Sequence, residues 1–193
     1  SFEKAETVPD DLDRKYYVSL PLDSDISDFV SIASRFDHAG VKFPRVIPLD
    51  DHELREKLLA VKKSGVTFGL CATLDSLYLC KSAGIDAVAL PTCNIFNSYA
   101  LEQYSEFGFS SAFVSFELKA DQINAMRGSM PRGIVSYGYL PLMLFSVCPV
   151  KNELTCADCK GESSLTDRTG ASFRVLCSGN YSELLNSRPL WMA

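Results

Sequence analysis

Short apolar runs alternate with amphipathic stretches along the chain from about residue 16 to residue 137. Each run is rich in β-branched or aromatic residues, and each is followed by a polar turn and then by apolar residues at helical spacing. Parallel neighbouring strands need a long crossover connection, which a helix supplies. The alternation therefore predicts successive β-α units built around a parallel sheet.

Six runs are predicted as strands, at residues 16–20, 45–49, 66–70, 87–90, 112–115 and 134–136. Five stretches between them are predicted as helices, at residues 26–38, 51–63, 74–82, 98–107 and 120–126. The last three helices are followed by Gly84, Gly108 and Gly128, and a glycine in the left-handed conformation commonly ends a helix.

The number of units limits the architecture, because a complete barrel of eight β-α units has about 250 residues. This chain of 193 residues follows the repeat only to about Pro141, so six units are predicted. We expect an α/β fold: either an open sheet or a partial TIM-like barrel. In the barrel alternative, the first strands lie in a missing N-terminal part of a longer chain or in a partner chain. The domains are predicted as a β-α repeat region over residues 1–143 and a cysteine-rich appendage over residues 144–193.

The charge balance bears on possible partners. The chain has 19 basic and 24 acidic residues in no long runs, which argues against non-specific binding to phosphate backbones or anionic lipids. Recognition of a particular RNA stays open. The longest apolar stretch, at residues 139–150, is shorter than the roughly 20 residues that cross a bilayer. The first eleven residues carry no apolar signal core. We therefore expect a cytoplasmic protein without a membrane span.

A cysteine cluster follows the β-α repeat. Its pattern is C-x7-C-x2-C-x17-C, and polar residues surround the middle pair. Clustered cysteines in a reducing compartment are more often metal ligands than disulfides, and four thiolates suit either tetrahedral zinc or an iron–sulfur cluster. The predicted ligands are Cys148, Cys156, Cys159 and Cys177.

The choice of metal stays open between iron and zinc. Iron is favoured because the first interval is longer than in zinc fingers, and because Cys148 precedes Pro149 as ligand cysteines do in bacterial ferredoxins. Structural zinc would stabilise the fold of a module that is poor in apolar residues. A redox dithiol at Cys156 and Cys159 is a third reading, although this pair does not open a helix after a strand.

The remaining cysteines are predicted in the β-α region. Cys80 is expected in the core, on the apolar side of a helix. Cys71 and Cys93 end strands, and are expected to be small buried side chains or to face a pocket.

Polar residues follow three of the predicted strands, at the edge where α/β proteins place their active sites. Asn94 and Asn97 follow the fourth strand, Glu117 the fifth and Tyr137 the sixth. Two amides, a carboxylate and a phenol could line a pocket for a polar ligand. Alternatively, the two asparagines cap the next helix and Glu117 supports a first turn.

Familiar hydrolytic motifs are missing from the sequence. His38 and His52 are predicted in helices and outside any H-E-x-x-H spacing, and neither G-x-S-x-G nor a P-loop occurs. Ordinary hydrolysis therefore lacks an evident general base.

Several motifs occur in a distinctive order from about residue 86 to the C terminus. They are N-I-F-N-S at 94–98, S-F-E-L at 115–118, Y-G-Y-L-P-L-M at 137–143, C-P at 148–149, and L-T-D-R at 165–168 with Gly170. Together they resemble the collagenase-like peptidase family, peptidase family U thirty-two.

The resemblance implies a TIM-like barrel with a four-iron four-sulfur cluster held by the four cysteines named above. It also implies the activity of family members that hydroxylate RNA bases or a quinone precursor without oxygen. The leading hypothesis is an iron–sulfur enzyme that modifies RNA or a small aromatic substrate, with Asn94, Asn97, Glu117 and Tyr137 orienting it. The alternatives are a peptidase of unknown catalytic type and a non-catalytic module with structural zinc. Asp167 and Arg168 are expected to pair and brace a turn between the last ligands.

Overall fold

The structure is a computed structural model that describes residues 5–47, 52–151, 155, 159, 162–178 and 181–191. It divides the chain into two compact units, Ser1–Ile134 and Val135–Ala193. The division falls nine residues before the domain boundary expected at 143/144.

The first unit contains a six-stranded parallel sheet whose strands lie side by side in chain order. The strands are β1 (Tyr17–Pro21), β2 (His38–Lys42), β3 (Phe68–Cys71), β4 (Asp86–Ala89), β5 (Ser111–Phe113) and β6 (Arg132–Gly133). The helices between them are α1 (Ile26–Arg35), α2 (His52–Lys63), α3 (Leu74–Ala83), α4 (Ser98–Phe107) and α5 (Ala120–Ala125). No helix in the described part of the chain has the length and apolarity to cross a membrane.

The strand order determines where the helices lie. Crossovers between parallel strands are almost always right-handed, so a sheet that grows in one direction places its helices on one face. A doubly wound sheet instead reverses its strand order and carries helices on both faces. The alternating β-α units predicted from the sequence are thus confirmed, in a sheet without such a reversal.

A hydrophobic core joins the sheet to its helices. Alternate strand residues point towards the helices, and α1 contributes Phe29 and Ile32, which are both fully buried. The buried strand positions on this side include Val18, Leu20, Ala39, Val41, Ala87 and Ala89. Burial of a large aliphatic or aromatic side chain stabilises a protein by roughly 1.5–3 kcal/mol, so this shared core holds the first unit together.

Local signals define the ends of the middle helices. The hydroxyl of Thr73 accepts a hydrogen bond from the Ser76 amide, and Ser76 reciprocates in a capping box at the start of α3. Gly84 and Gly108 end α3 and α4 in the left-handed conformation, as predicted. Gly128 also has a positive φ, but α5 ends earlier, with Met126 as its C-cap.

The second predicted strand was placed wrongly. The structure ends α1 at Arg35 and forms β2 at His38–Lys42, whereas residues 45–47 form no strand and residues 48–49 lie outside the described residues. The sequence of β2 is weakly apolar, and the ring of Phe68 lies over Gly40, where a Cβ atom would come within 2.2 Å of it. The neighbouring strand therefore supplies the hydrophobic group that β2 lacks. The sixth strand also lies earlier than predicted, before residues 134–136.

The second unit is formed by antiparallel β-structure. A four-stranded sheet has the order β8-β11-β10-β9, and a separate two-stranded ribbon pairs β7 with β12. The strands are β7 (Tyr137–Gly138), β8 (Pro141–Phe145), β9 (Glu162–Thr166), β10 (Ser172–Cys177), β11 (Ser182–Leu185) and β12 (Leu190–Trp191). Among the described residues of this unit, the buried apolar side chains are those of Val150, Val175 and Leu185.

The close approach of α3 to β3 predicts a cost for any side chain at position 69. A Cβ atom on Gly69 would lie 2.5 Å from Cys80 Sγ and 2.7 Å from the Phe43 ring, both of which are buried. We expect Gly69→Ala to lower the free energy of unfolding by roughly 1–3 kcal/mol, because overpacking displaces buried neighbours.

The measurement is urea unfolding followed by far-UV circular dichroism. Gly133→Ala is the matched control, because its Cβ atom would meet the Phe113 ring at 3.3 Å. Equal losses in the two variants would contradict the role assigned to the contact between Gly69 and Cys80.

Candidate functional site

Asn94 lies just beyond β4, after a short 3-10 turn at Pro91–Cys93. Its φ of 53° places it in the left-handed region. Among the residues that the structure describes, Asn94 is the one non-glycine residue with a positive φ. Asparagine tolerates this conformation better than most residues. The side chain is exposed, so Asn94 ends the turn and leaves its amide group at the surface.

Asn97 is the N-cap of α4. Its Oδ1 atom accepts a hydrogen bond from the Ala100 amide at 2.9 Å, and this satisfies one of the free amides at the start of the helix. Capping was the structural alternative to a pocket role for this residue. The structure confirms capping, and the amide NH2 group of Asn97 remains as a potential donor at the surface.

Glu117 and Tyr137 lie in different units. Glu117 follows β5 in a turn, where its backbone amide donates to Ser115 Oγ at 3.4 Å, and its side chain is exposed. Tyr137 is in β7 of the second unit, where its ring meets the edge of Trp191 at a centroid distance of 5.5 Å. Asn94, Asn97 and Glu117 thus follow neighbouring strands of one sheet, whereas Tyr137 belongs to the antiparallel unit.

Three of the four predicted metal ligands can be described. Cys148, Cys159 and Cys177 carry free thiols; Cys177 is exposed and the other two are half-buried. Cys156 lies outside the described residues. Within the described ranges, no three histidine, cysteine or acidic side chains come together as a metal site. The donor chemistry suits a thiolate-bound metal, because none of these three thiols is used in a disulfide.

The turn between β9 and β10 is held by a carboxylate. Asp167 Oδ1 accepts hydrogen bonds from the Thr169 hydroxyl at 2.7 Å, the Thr169 amide at 2.8 Å and the Ala171 amide at 3.0 Å. These bonds lower the pKa of Asp167, first through the Thr169 hydroxyl and then through the Ala171 amide. The expected pairing with Arg168 is wrong: the Asp167 carboxylate is bonded to Thr169 and Ala171, no ion pair with Arg168 is described, and Arg168 is exposed.

A second group of thiols lies in the first unit. Cys71 Sγ, at the end of β3, is 3.5 Å from Cys80 Sγ in α3, and Cys93 Sγ donates to the Cys71 carbonyl at 3.5 Å. All three side chains are buried, which confirms the core position expected for Cys80. Sequence reasoning missed the pairing of Cys71 with Cys80, although both flank a strand-to-helix turn.

The environment of Cys80 and Cys93 keeps these two thiols protonated. The hydrogen bond with Cys71, followed by burial, strongly raises the pKa of Cys80. Burial, followed by the proximity of Cys71, raises the pKa of Cys93 to about 11. Since the thiolate is the reactive form, neither Cys80 nor Cys93 is suited to be a catalytic nucleophile.

Neither histidine is placed to serve a nucleophile. His38 lies in β2, not in a helix as predicted, and its ring stacks on Tyr17 at a centroid distance of 4.0 Å. His52 begins α2, and its Nε2 atom is 4.0 Å from Glu56 Oε1. Both residues lie at or near the amino ends of their elements.

Comparisons of the chain with protein-family models, with curated proteins and with solved structures gave no match. The resemblance to collagenase-like peptidases is therefore a prediction carried by the motifs alone.

The capping role of Asn97 predicts a stability change. We expect Asn97→Ala to lower the free energy of unfolding by about 1 kcal/mol, because the Ala100 amide loses its acceptor. Asn97→Ser restores an N-cap acceptor and should recover most of the loss in urea unfolding followed by circular dichroism. An Asn97→Ala protein as stable as the wild type would contradict the capping role.

The lowered pKa of Asp167 predicts an acid-sensitive turn. A depressed pKa in the folded state adds stability above the unfolded-state pKa, and this stability is lost as the pH falls through the folded value. Asp167→Asn should therefore weaken the second unit at neutral pH and flatten its loss of stability in acid. The measurement is the fluorescence of Trp191, the chain's single tryptophan, during urea unfolding at neutral and acidic pH. Asp23→Asn, an exposed carboxylate in another turn, should retain the wild-type acid response.

Proposed function

We propose that this chain is an iron–sulfur enzyme that modifies RNA bases or a small aromatic substrate. In this proposal, four cysteines of the second unit ligate a four-iron four-sulfur cluster: Cys148, Cys156, Cys159 and Cys177. The substrate is bound at the carboxyl edge of the parallel sheet. The motif resemblance supplies the reaction class.

The small core of the second unit is the observation that carries the metal centre. Its described residues bury only three apolar side chains, those of Val150, Val175 and Leu185. Modules with so little core usually need disulfides or a metal to stay folded. The described cysteines carry free thiols, so disulfides do not supply this stability. A metal centre bound by the thiolates would contribute it directly to folding.

The strand order supports a partial TIM-like barrel in the first unit. In a barrel each strand pairs with the next in sequence, and β1 to β6 follow this rule throughout. Two further β-α units would complete the usual eight. We propose that an N-terminal part of a longer chain or a partner chain supplies them.

The loops at the carboxyl edge would orient the substrate. Asn94 offers an exposed amide, Asn97 an amide NH2 group, and Glu117 an exposed carboxylate, a set that can hydrogen-bond the polar edge of a base or a phenol. Tyr137 lies in the second unit and is not part of this set. The cluster, when bound, would supply an electron or a Lewis-acid site.

Structural zinc is the second candidate, because a small core needs a metal of some kind and four thiolates suit either ion. In that case the second unit is a non-catalytic binding module. Peptidase activity that survives serine, cysteine and metal inhibitors would instead favour the third alternative.

Anaerobic purification of the full chain, with iron, acid-labile sulfide and zinc determination, distinguishes these proposals. We expect iron and sulfide in equal amounts, and substitution of any one of the four cysteines by alanine should lower both. Cys93→Ala is the matched control, because Cys93 is a buried thiol of the other unit. A colourless protein with one zinc per chain would favour the binding module, and a folded second unit without metal would overturn both proposals.

Metal removal has a structural readout as well. A chelator should unfold the second unit, which Trp191 fluorescence reports, and leave the helices of the first unit intact. Helices α1 to α5 lie in the first unit, and Cys159 is the described helical position of the second unit, so most of the far-UV circular dichroism at the helical band should persist as the internal control. Unchanged tryptophan fluorescence after complete metal removal would contradict the stabilising role of the metal.

A further inference from the structure

We propose that Cys71 and Cys80 are a latent disulfide pair, which a peroxide oxidises so that the end of β3 becomes covalently tied to α3. The pair belongs to the first unit and takes no part in the proposed metal centre. The two sulfur atoms are 3.5 Å apart without a bond between them.

The geometry of the first unit brings these sulfur atoms together. Cys71 is the last residue of β3 and Cys80 lies in the second half of α3, which packs back against the strand. The absence of a side chain at Gly69 allows this approach, because a Cβ atom there would lie 2.5 Å from Cys80 Sγ. A disulfide bond is about 2.0 Å long, so small side-chain rotations would have to close a gap of about 1.5 Å.

Cys93 provides a comparison within the same cluster. It is also buried, but its sulfur atom contacts the backbone carbonyl of Cys71 at 3.5 Å. Cys71 Sγ also donates to the Gly69 carbonyl at 3.5 Å, but it has Cys80 Sγ as a sulfur neighbour at 3.5 Å, whereas the contact described for Cys93 Sγ is with a backbone oxygen. The pair that should form is the one between Cys71 and Cys80.

The chemistry requires a two-electron oxidant, which we take to be a peroxide. The Cys71 thiolate attacks one peroxide oxygen, the O–O bond breaks, and water leaves with the proton that Cys71 released, giving a sulfenic acid. Cys80 sulfur then attacks Cys71 sulfur, the S–O bond breaks, and the departing hydroxide takes the Cys80 proton as a second water molecule. Two thiols and one hydrogen peroxide thus give one disulfide and two waters.

The hydrogen bond between the two sulfur atoms determines the order of these steps, and burial determines their speed. Because the hydrogen bond with Cys71 raises the pKa of Cys80, Cys80 keeps its proton and acts as the resolving thiol. Both side chains are fully buried, so the reaction depends on local opening of α3 that admits a small uncharged oxidant. Bulky thiol reagents should therefore react much more slowly than hydrogen peroxide at this pair.

The test treats the folded 193-residue chain with hydrogen peroxide, blocks the remaining thiols and maps the cysteines by mass spectrometry. Both cysteines lie in residues 64–81, between the trypsin sites at Lys63 and Lys81, and Asp75 separates them. We expect this fragment to lose two hydrogens, and its halves to stay joined after cleavage at Asp75 until a reductant is added. Cys80→Ala should abolish the link, whereas Cys93→Ala should retain it.

Circular dichroism during oxidation separates a native reaction from one that follows unfolding. The link should form while the helical signal is unchanged, and it should raise the thermal unfolding midpoint of the wild type but not that of Cys80→Ala. The proposal is overturned if the fragment keeps both thiols after Cys148, Cys159 and Cys177 are oxidised. It is equally overturned if the link forms only in urea, or if Cys71 joins Cys93 instead.

Discussion

Packing of one helical layer against one face of a parallel sheet is the constraint on which the first unit depends. Because β1 to β6 pair in chain order, every crossover moves the chain in the same direction and returns it to the same face. Alternate strand residues can then share one core with the helices, while the strands' carboxyl ends and their loops lie along one edge. The position of Asn94, Asn97 and Glu117 is a consequence of this order.

The two units differ in what can stabilise them. The first unit has an extended core, and its glycines at positions 40 and 69 allow rings and sulfur atoms to approach the sheet closely. The second unit, in its described residues, has a small core and an exposed set of strands. Its stability must rely more on hydrogen bonding, as in the turn held by Asp167.

Local signals in the sequence predicted much of the first unit. The bounds of α4 were predicted from its apolar spacing and from Gly108, and the structure confirms both. The position of β2 was missed because it has few apolar residues of its own, and Phe68, which covers Gly40, is distant in sequence. A strand prediction based on neighbouring residues does not include the contribution of a residue as distant in sequence as Phe68.

The candidate site shows the same division. The capping function of Asn97 depends on a residue three positions away, so the sequence was sufficient to raise it as an alternative. The contact between Cys71 and Cys80 depends on the return of a helix onto its preceding strand, which only the fold determines. The role of Asp167 was misjudged because backbone amides, which every sequence contains, are better partners in this turn than the charged neighbour.

The exposed strand β8 has a consequence for handling the protein. It lies at an edge of the described four-stranded sheet, and Leu142, Met143 and Leu144 are all exposed along it. An apolar edge strand offers its backbone groups to any other strand that approaches, including the same strand of another molecule. In concentrated solution this protein should therefore be prone to aggregate through that edge, and low concentration would favour monodisperse samples.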